Sequence, residues 1–170
     1  MINKIFSFEN NANLYLSGIQ PLYNSKNIQK LKIGVILTVI DNETLKNISI
    51  PNAFKEVKHY QFNIDDSPTE DISKIFDTTF RIIYQSLLNG ENVLVHCAMG
   101  ISRSVSVIIA FFLKCVQLYP KVIGLYIPKT RPTWTDSILL YIKSKRSIVF
   151  PNYGFMEQLR QYEKELKIDS

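Results

Sequence analysis

The feature that most constrains this chain is a short apolar run that leads into a cysteine-containing loop and then into a long apolar segment. Residues 93–95 are β-branched or aliphatic and follow the turn-forming sequence Asn89-Gly90-Glu91-Asn92, which predicts a buried strand. Apolar side chains recur at helical spacing over residues 105–118, which predicts a helix. The loop between them carries Cys97, Gly100 and Arg103. Backbone N–H groups of such a loop, together with the positive end of the following helix, predict an anion-binding site.

Cys97 is the candidate nucleophile of this loop. The helix start and Arg103 favour its thiolate form, and the guanidinium fork can hold phosphate oxygens while the sulfur attacks in line. Gly100 supplies the backbone freedom that the turn needs. The alternative for Cys97 is a purely structural role as a buried apolar side chain, which is the usual role of a free cysteine. We predict this structural role for Cys115. The predicted substrate-binding residues are Ala98, Met99, Gly100, Ile101, Ser102 and Arg103.

Two neighbours of Cys97 each have a structural and a catalytic interpretation. His96 could act as a base, but an ionised thiol needs none, so we favour a core residue that orients the backbone. Ser104 could donate a hydrogen bond to the sulfur and stabilise it as a leaving group, or it could simply begin the helix. Ser104 is therefore a candidate catalytic residue, whereas Ser102 is expected to shape the loop.

Attack of the sulfur on a phosphate ester would form a cysteinyl phosphate and expel an alcohol. The alcohol needs a proton as it leaves, and the water that later hydrolyses the cysteinyl phosphate needs a base, so a carboxylate is also required. Asp65 and Asp66 follow a predicted strand at residues 57–62 and so lie at the edge where active sites of such folds collect. The alternative is a solvated loop in which one carboxylate favours the dipole of the next helix.

The order of the predicted elements indicates an α/β fold with helices packed on a sheet. Ser67 and Glu70 have the spacing of a capping box, with Pro68 in the first helical position, and Thr135 or Asp136 is a candidate cap for a later helix. Strands are predicted at residues 13–18, 33–40, 57–62 and 93–95, and helices at 25–31, 68–88, 105–118, 135–145 and 152–166.

Composition excludes several classes of function. The 170 residues suit one domain, and the net charge of +5 either favours phosphorylated partners or reflects solvated lysines. We expect no nucleic-acid partner, because no basic cluster is dense and the aromatic residues are not interleaved with arginines. We expect no membrane partner, because the apolar stretches are too short to span a bilayer. Residues 1–8 do not form a signal peptide and two cysteines suit a reducing compartment, so an intracellular, cytoplasmic protein is expected.

The sequence His96-Cys97, five further residues, and Arg103-Ser104 resembles the signature of cysteine-dependent protein tyrosine phosphatases. Three other segments resemble the dual-specificity branch of that family: the opening strand at residues 13–18, the general-acid loop with Asp66 before Asp71-Ile72, and the closing segment at residues 145–159. The resemblance extends from about residue 10 to residue 166.

This resemblance implies a central, mostly parallel mixed sheet of about five strands flanked by helices, with neither metal nor cofactor. It implies a phosphorylated protein as partner, and hydrolysis of phosphotyrosine, phosphoserine and phosphothreonine through a cysteinyl phosphate. By family spacing the acid is Asp66 and not Asp65, because Asp66 stands six residues before Ile72. No segment resembles the tyrosine-recognition loop of tyrosine-only members, so a shallow site is expected. A monomer is the default, since little chain precedes Leu14.

Three other functions fit the motif less well. A phosphatase of RNA 5′ ends or phosphoinositides is disfavoured because residues 98–102 contain no lysine. A silent phospho-binding module is disfavoured because Cys97 and Arg103 are both present, and a rhodanese-like sulfurtransferase would not need Asp66. Residues 117–134 form an unusually long connection, either a docking surface or a tolerated insertion, in which residues 122–127 could form a hairpin.

Overall fold

The computed structural model describes residues 1–47 and 56–168, which contain a five-stranded sheet flanked by helices. The strands are β1 (Asn3–Ser7), β2 (Asn13–Ser17), β3 (Ile33–Val39), β4 (Lys58–Phe62) and β5 (Asn92–His96). They lie in the order β1-β2-β5-β3-β4, and every neighbouring pair is parallel except β1 and β2. The prediction of a mostly parallel mixed sheet of about five strands is confirmed.

Helices connect the strands and cover both faces of the sheet. They are α1 (Ser25–Lys30), α2 (Asn42–Lys46), α3 (Phe76–Leu88), α4 (Arg103–Leu118), α5 (Pro120–Tyr126), α6 (Trp134–Lys145) and α7 (Tyr153–Glu165), with 3₁₀ turns at Gln20–Tyr23 and Ile72–Ile75. Within the described ranges, none of these helices is long and apolar enough to cross a membrane.

The strand sequences alternate between the two faces of the sheet. On β5, Val93 and Val95 join the larger core, while Leu94 points into a smaller core on the opposite face. The larger core packs against α4, which is buried at all but three of its positions. The sequence of α4 is mostly apolar on all sides, as expected of a helix that is buried nearly all round in the centre of the molecule.

Parallel pairing brings the functional loops to one edge of the sheet. His96 at the end of β5 is level with Ser17 of β2 and with Thr38 of β3. The carboxyl ends of β2, β3, β4 and β5 therefore meet at the same edge, and the loop beginning at Cys97 starts there. This is the position in which sites of open α/β sheets form.

Five local predictions are wrong. Strand β1 precedes the segment that was expected to be first, and the helix after β4 begins with the turn at Ile72 instead of at Pro68. The capping box does not form, because the Glu70 carboxylate accepts a hydrogen bond from the Asp65 amide (3.2 Å) instead. Thr133, and neither Thr135 nor Asp136, caps α6. Residues 122–127 do not form a hairpin: residues 120–126 form α5, which starts at Pro120 and buries Ile123 against the core.

Candidate active site

The loop between β5 and α4 turns its carbonyl groups outward. The carbonyl oxygen of Ala98 accepts from the Ile19 amide (2.9 Å), and that of Ile101 accepts from the Phe150 amide (2.8 Å). The carbonyl oxygens of Met99 and Gly100, between them, both accept from the Arg146 guanidinium at 3.0 Å. Four consecutive carbonyl groups are thus bound by other segments, while the Gly100 amide points to the Cys97 sulfur; this is the arrangement of an anion-binding loop, which we call the cradle.

Arg146 fixes the loop to the rest of the protein. Besides the two loop carbonyls it donates to Asn3 Oδ1 (2.8 Å) and to the Met1 carbonyl (3.0 Å), so that it links the loop to the region of β1. Burial lowers the pKa of Arg146, while a negative charge on Cys97 opposes that shift. Sequence reasoning gave Arg146 no role, although it lies in the segment that resembles the closing part of a dual-specificity phosphatase.

Gly100 allows the loop to approach β2. Its φ is +67°, a left-handed conformation that favours glycine. A Cβ atom at this position would also lie 2.6 Å from the backbone carbonyl carbon of Ser17, which is impossible without movement of the strand. The predicted need for glycine in the middle of the loop therefore has two physical causes, the backbone angle and the close packing.

The Cys97 thiol lies at the bottom of this cradle. It is 2% exposed, and its Sγ accepts a hydrogen bond from the Gly100 amide (3.2 Å). The Ser104 hydroxyl is 3.1 Å from the same sulfur, which is the contact that the catalytic interpretation of Ser104 requires. Both contacts are ones that can stabilise a negatively charged sulfur.

Arg103, the first residue of α4, is held in place by two groups that lie far away in the sequence. Its Nη1 donates to Asp41 Oδ2 (3.2 Å) and to the Ile64 carbonyl (3.0 Å). Its Nε is buried and has no hydrogen-bond partner within the described part of the chain. A buried N–H without a partner is costly, so this donor is suited to an incoming anion such as a phosphate group.

Asp41 is a positioning residue that sequence reasoning missed. It caps α2, and the hydroxyl and amide of Thr44 together with Arg103 hold the pKa of its carboxyl below the usual range. An aspartate just after a buried strand was visible in the sequence, but its pairing with Arg103, 62 residues away, was not.

His96 has a structural place beneath the loop. It is fully buried, and burial lowers its pKa to about 4, so the ring is neutral at physiological pH. Nδ1 lies 3.0 Å from the Cys97 carbonyl and Nε2 lies 2.6 Å from the Thr38 hydroxyl. Since a carbonyl only accepts, Nδ1 carries the proton and Nε2 accepts from Thr38. These contacts agree with the interpretation of His96 as a residue that orients the backbone.

Asp66 lies on the exposed loop after β4 and is connected to the cradle through Asn152. The Asn152 side chain donates to Asp66 Oδ1 (3.0 Å), and the Asn152 amide donates to the Ser102 hydroxyl (3.0 Å). A Cβ atom at Gly154 would collide with the Pro68 carbonyl, so this loop packs closely on the start of α7. The structure thus connects Asp66 to the cradle through Asn152, whereas the Asp65 amide binds Glu70.

All residues predicted for the site lie in one region: Cys97, Ser104, Arg103 and residues 98–102 form the cradle and Asp66 stands beside it. No group of three or more histidine, cysteine or carboxylate residues in the described ranges has the arrangement of a metal site. The arrangement combines a thiol nucleophile, an anion-binding loop and a carboxylate, which is suited to phosphoryl transfer to sulfur.

Comparison with known proteins agrees with this geometry. Residues 14–165 match the family described as dual specificity phosphatase, catalytic domain. A putative tyrosine phosphatase of Invertebrate iridescent virus 6 is 35% identical over 154 residues, with 91% of this chain and 89% of the relative covered. A probable rhodanese domain-containing dual specificity protein phosphatase of Dictyostelium discoideum is 31% identical over 156 residues, covering 92% of this chain and 28% of that relative. The chain thus spans little more than a quarter of the Dictyostelium protein.

Solved structures give the same result. The Yvh1 phosphatase domain from Chaetomium thermophilum superimposes with a TM-score of 0.77 at 30% sequence identity, and the match covers 100% of both chains. The family match extends over most of the sequence and includes every residue of the candidate site. The chain therefore belongs to the dual specificity phosphatases, a family of protein phosphatases within the cysteine-dependent protein tyrosine phosphatases.

Proposed function

We propose that this chain hydrolyses phosphotyrosine, phosphoserine and phosphothreonine in proteins, with Cys97 as nucleophile and Asp66 as acid and base. The observation that carries the proposal is the position of the Cys97 sulfur beneath a loop whose four successive carbonyl groups all point away from it. A phosphate group bound by the amides of that loop would present its phosphorus atom to the sulfur.

In the first step the Cys97 thiolate attacks phosphorus, and the bond from phosphorus to the oxygen of the substrate side chain breaks. Asp66 gives its proton to the departing oxygen, so that a neutral alcohol or phenol leaves. Charge on the non-bridging oxygens is held by the loop amides and by Arg103, whose unpartnered Nε is a donor available for this purpose. Asp41 keeps the guanidinium in place by binding Nη1 only.

In the second step water attacks phosphorus and the sulfur–phosphorus bond breaks. Asp66, now ionised, takes a proton from the water, and Cys97 leaves as a thiolate. The Ser104 hydroxyl at 3.1 Å can donate to the sulfur as its negative charge returns. Inorganic phosphate is released, and Asp66 is again protonated, as the first step requires.

The substrate class rests on the family and on the shape of the loop. The name of the viral relative refers to a tyrosine phosphatase and that of the Dictyostelium relative to dual specificity. Residues 98–102 contain no lysine, which disfavours the highly charged phosphates of inositol lipids and RNA 5′ ends. We therefore place phosphorylated proteins first and include the other substrates in the test.

The test is a substrate panel of phosphotyrosine, phosphoserine and phosphothreonine peptides, a phosphoinositide and an RNA 5′-triphosphate. We expect turnover of the peptides by the wild type and at least a 10⁴-fold loss in Cys97→Ser, on the order of losses seen when catalytic nucleophiles are removed. Faster turnover of the lipid or RNA would replace the proposed substrate class. Peptide binding without any turnover would indicate a phospho-binding module instead.

A further inference from the structure

The catalytic cradle is surrounded by large apolar side chains that are exposed to solvent. Met99 is 66% exposed, Phe150 is 70% exposed and Tyr153 is 72% exposed. We call these three residues the apolar rim. Single exposed apolar residues are normal on a protein surface, but three of them on segments that form or contact one binding loop point to an interaction site.

Backbone contacts fix the apolar rim beside the phosphate pocket. Met99 belongs to the cradle itself, and the Phe150 amide donates to the carbonyl of Ile101 in the same loop. Tyr153 follows Asn152, which binds both Ser102 and Asp66. All three side chains are thus attached to groups that hold the reacting phosphate or the proton donor.

Phe150 points outward because of its neighbours. Val149 and Pro151 are both buried, so the chain on either side of Phe150 is anchored and its side chain is directed to solvent. The Lys143 ammonium lies 5.8 Å from the centre of the Phe150 ring and covers one face. The rest of the ring remains open, and a preoriented aromatic surface loses little conformational entropy when a partner packs on it.

We infer that the apolar rim is a substrate subsite that binds an apolar side chain close to the phosphorylated residue of a peptide; this inference rests on the proposed function. In an extended peptide, residues two apart point to the same face and lie about 6.8 Å apart. A residue two positions from the phosphorylated one therefore points towards the surface around the pocket. An apolar side chain such as leucine would bury more apolar surface area on the rim than alanine does.

The test compares phosphotyrosine peptides that carry leucine or alanine two positions before or after the phosphorylated residue. We expect wild-type kcat/KM to be about fivefold to tenfold higher with leucine than with alanine at one or both positions. This gain is at the low end of what burial of a few methylene groups provides, because the surface is open. In Phe150→Ala the ratio of kcat/KM for the leucine peptide to kcat/KM for the alanine peptide should fall below about twofold. Tyr153→Ala should lower this ratio as well. The matched control is Leu125→Ala, an 82% exposed residue on α5, which should keep the wild-type ratio.

Each ratio is measured within one variant, so a general loss of folding or activity does not affect it. Equal kcat/KM for leucine and alanine peptides in the wild type would overturn the subsite, as would a ratio that survives in both rim variants. A Phe150→Ala loss confined to RNA substrates would identify the rim as a base-stacking surface instead. If only a small aryl phosphate is hydrolysed and no peptide is, the proposed function fails together with the subsite.

Discussion

Cys97 and Cys115 are both buried, with exposures of 2% and 3%, but they lie near opposite ends of α4 and in different environments. Cys97 precedes α4, and its sulfur accepts a hydrogen bond from the Gly100 amide of the loop and lies 3.1 Å from the Ser104 hydroxyl of α4. Cys115 lies on α4 about 18 Å from Arg103 by helix geometry, and burial raises the pKa of its thiol because it disfavours the charged form. It borders a largely apolar cavity of about 390 Å³ lined by residues such as Phe6 and Leu87.

This difference shows that hydrogen-bond donors around a thiol, and not its burial, make it suitable as a catalytic nucleophile. Low exposure excludes water in both places, and for Cys115 it only penalises the charged form. At Cys97 the Gly100 amide and the Ser104 hydroxyl contact the sulfur directly. The predictions below alter groups at the Cys97 end of this comparison, beginning with the largest effect.

After the loss of turnover expected in Cys97→Ser, the largest effect is expected from Asp66→Asn. Loss of the proton donor should reduce kcat about 10²- to 10³-fold on phosphoserine peptides, whose leaving group is a poor one, and less on an activated aryl phosphate. Asp65→Asn is the matched control, because the contact of Asp65 with Glu70 is made by its backbone amide, and within residues 1–47 and 56–168 its carboxylate has no hydrogen bond to the cradle. Steady-state kinetics on both substrates measures the effect, and equal losses on the two would contradict the role of Asp66 as acid.

A smaller effect is expected from Ser104→Ala. Without the hydroxyl, the sulfur is a poorer leaving group, so hydrolysis of the cysteinyl phosphate should slow about tenfold. Stopped-flow measurement on an aryl phosphate should then show a burst of product before the steady state. Ser104→Thr keeps the hydroxyl and should restore the rate. An unchanged kcat in Ser104→Ala would leave Ser104 as a residue that merely begins the helix.

The smallest effect concerns stability and comes from His96. Its pKa is about 4 in the folded protein against 6.5 in the unfolded chain, so the unfolded chain takes up the proton first as the pH falls. The free energy of unfolding should therefore decrease below about pH 6.5, by about 2 kcal/mol at pH 5. Denaturant titrations at pH 7.5 and pH 5 measure this difference. His96→Gln should lose most of the pH dependence; an identical dependence would show that His96 is not the cause.

The parts of the molecule that could be predicted depend on local sequence. The strand before Cys97, the cradle and α4 follow from an apolar run, a glycine and helical periodicity, all within a short stretch. The contacts of Arg103 with Asp41 and of Arg146 with the Gly100 carbonyl join residues 62 and 46 positions apart, and no local pattern encodes them.

The wrong predictions have two origins. Residues 122–127 have β-forming side chains, but packing of Ile123 against the core and a start at Pro120 favour a helix there. Ser67 and Glu70 have the spacing of a capping box, yet the Glu70 carboxylate binds the Asp65 amide and so orders the loop that carries the acid. At residues 122–127 a tertiary contact decided the conformation, whereas at Ser67–Glu70 a different local hydrogen bond replaced the expected one.

The central claim is that Cys97, and not Cys115, carries the phosphoryl group during turnover. It is tested most directly by mixing the protein with a ³²P-labelled phosphotyrosine peptide, quenching in acid within milliseconds and mapping the labelled peptide. We expect label on the peptide that contains Cys97, in the wild type and in Cys115→Ser, and none in Cys97→Ser. Label on any other residue, or label retained in Cys97→Ser, would contradict the account.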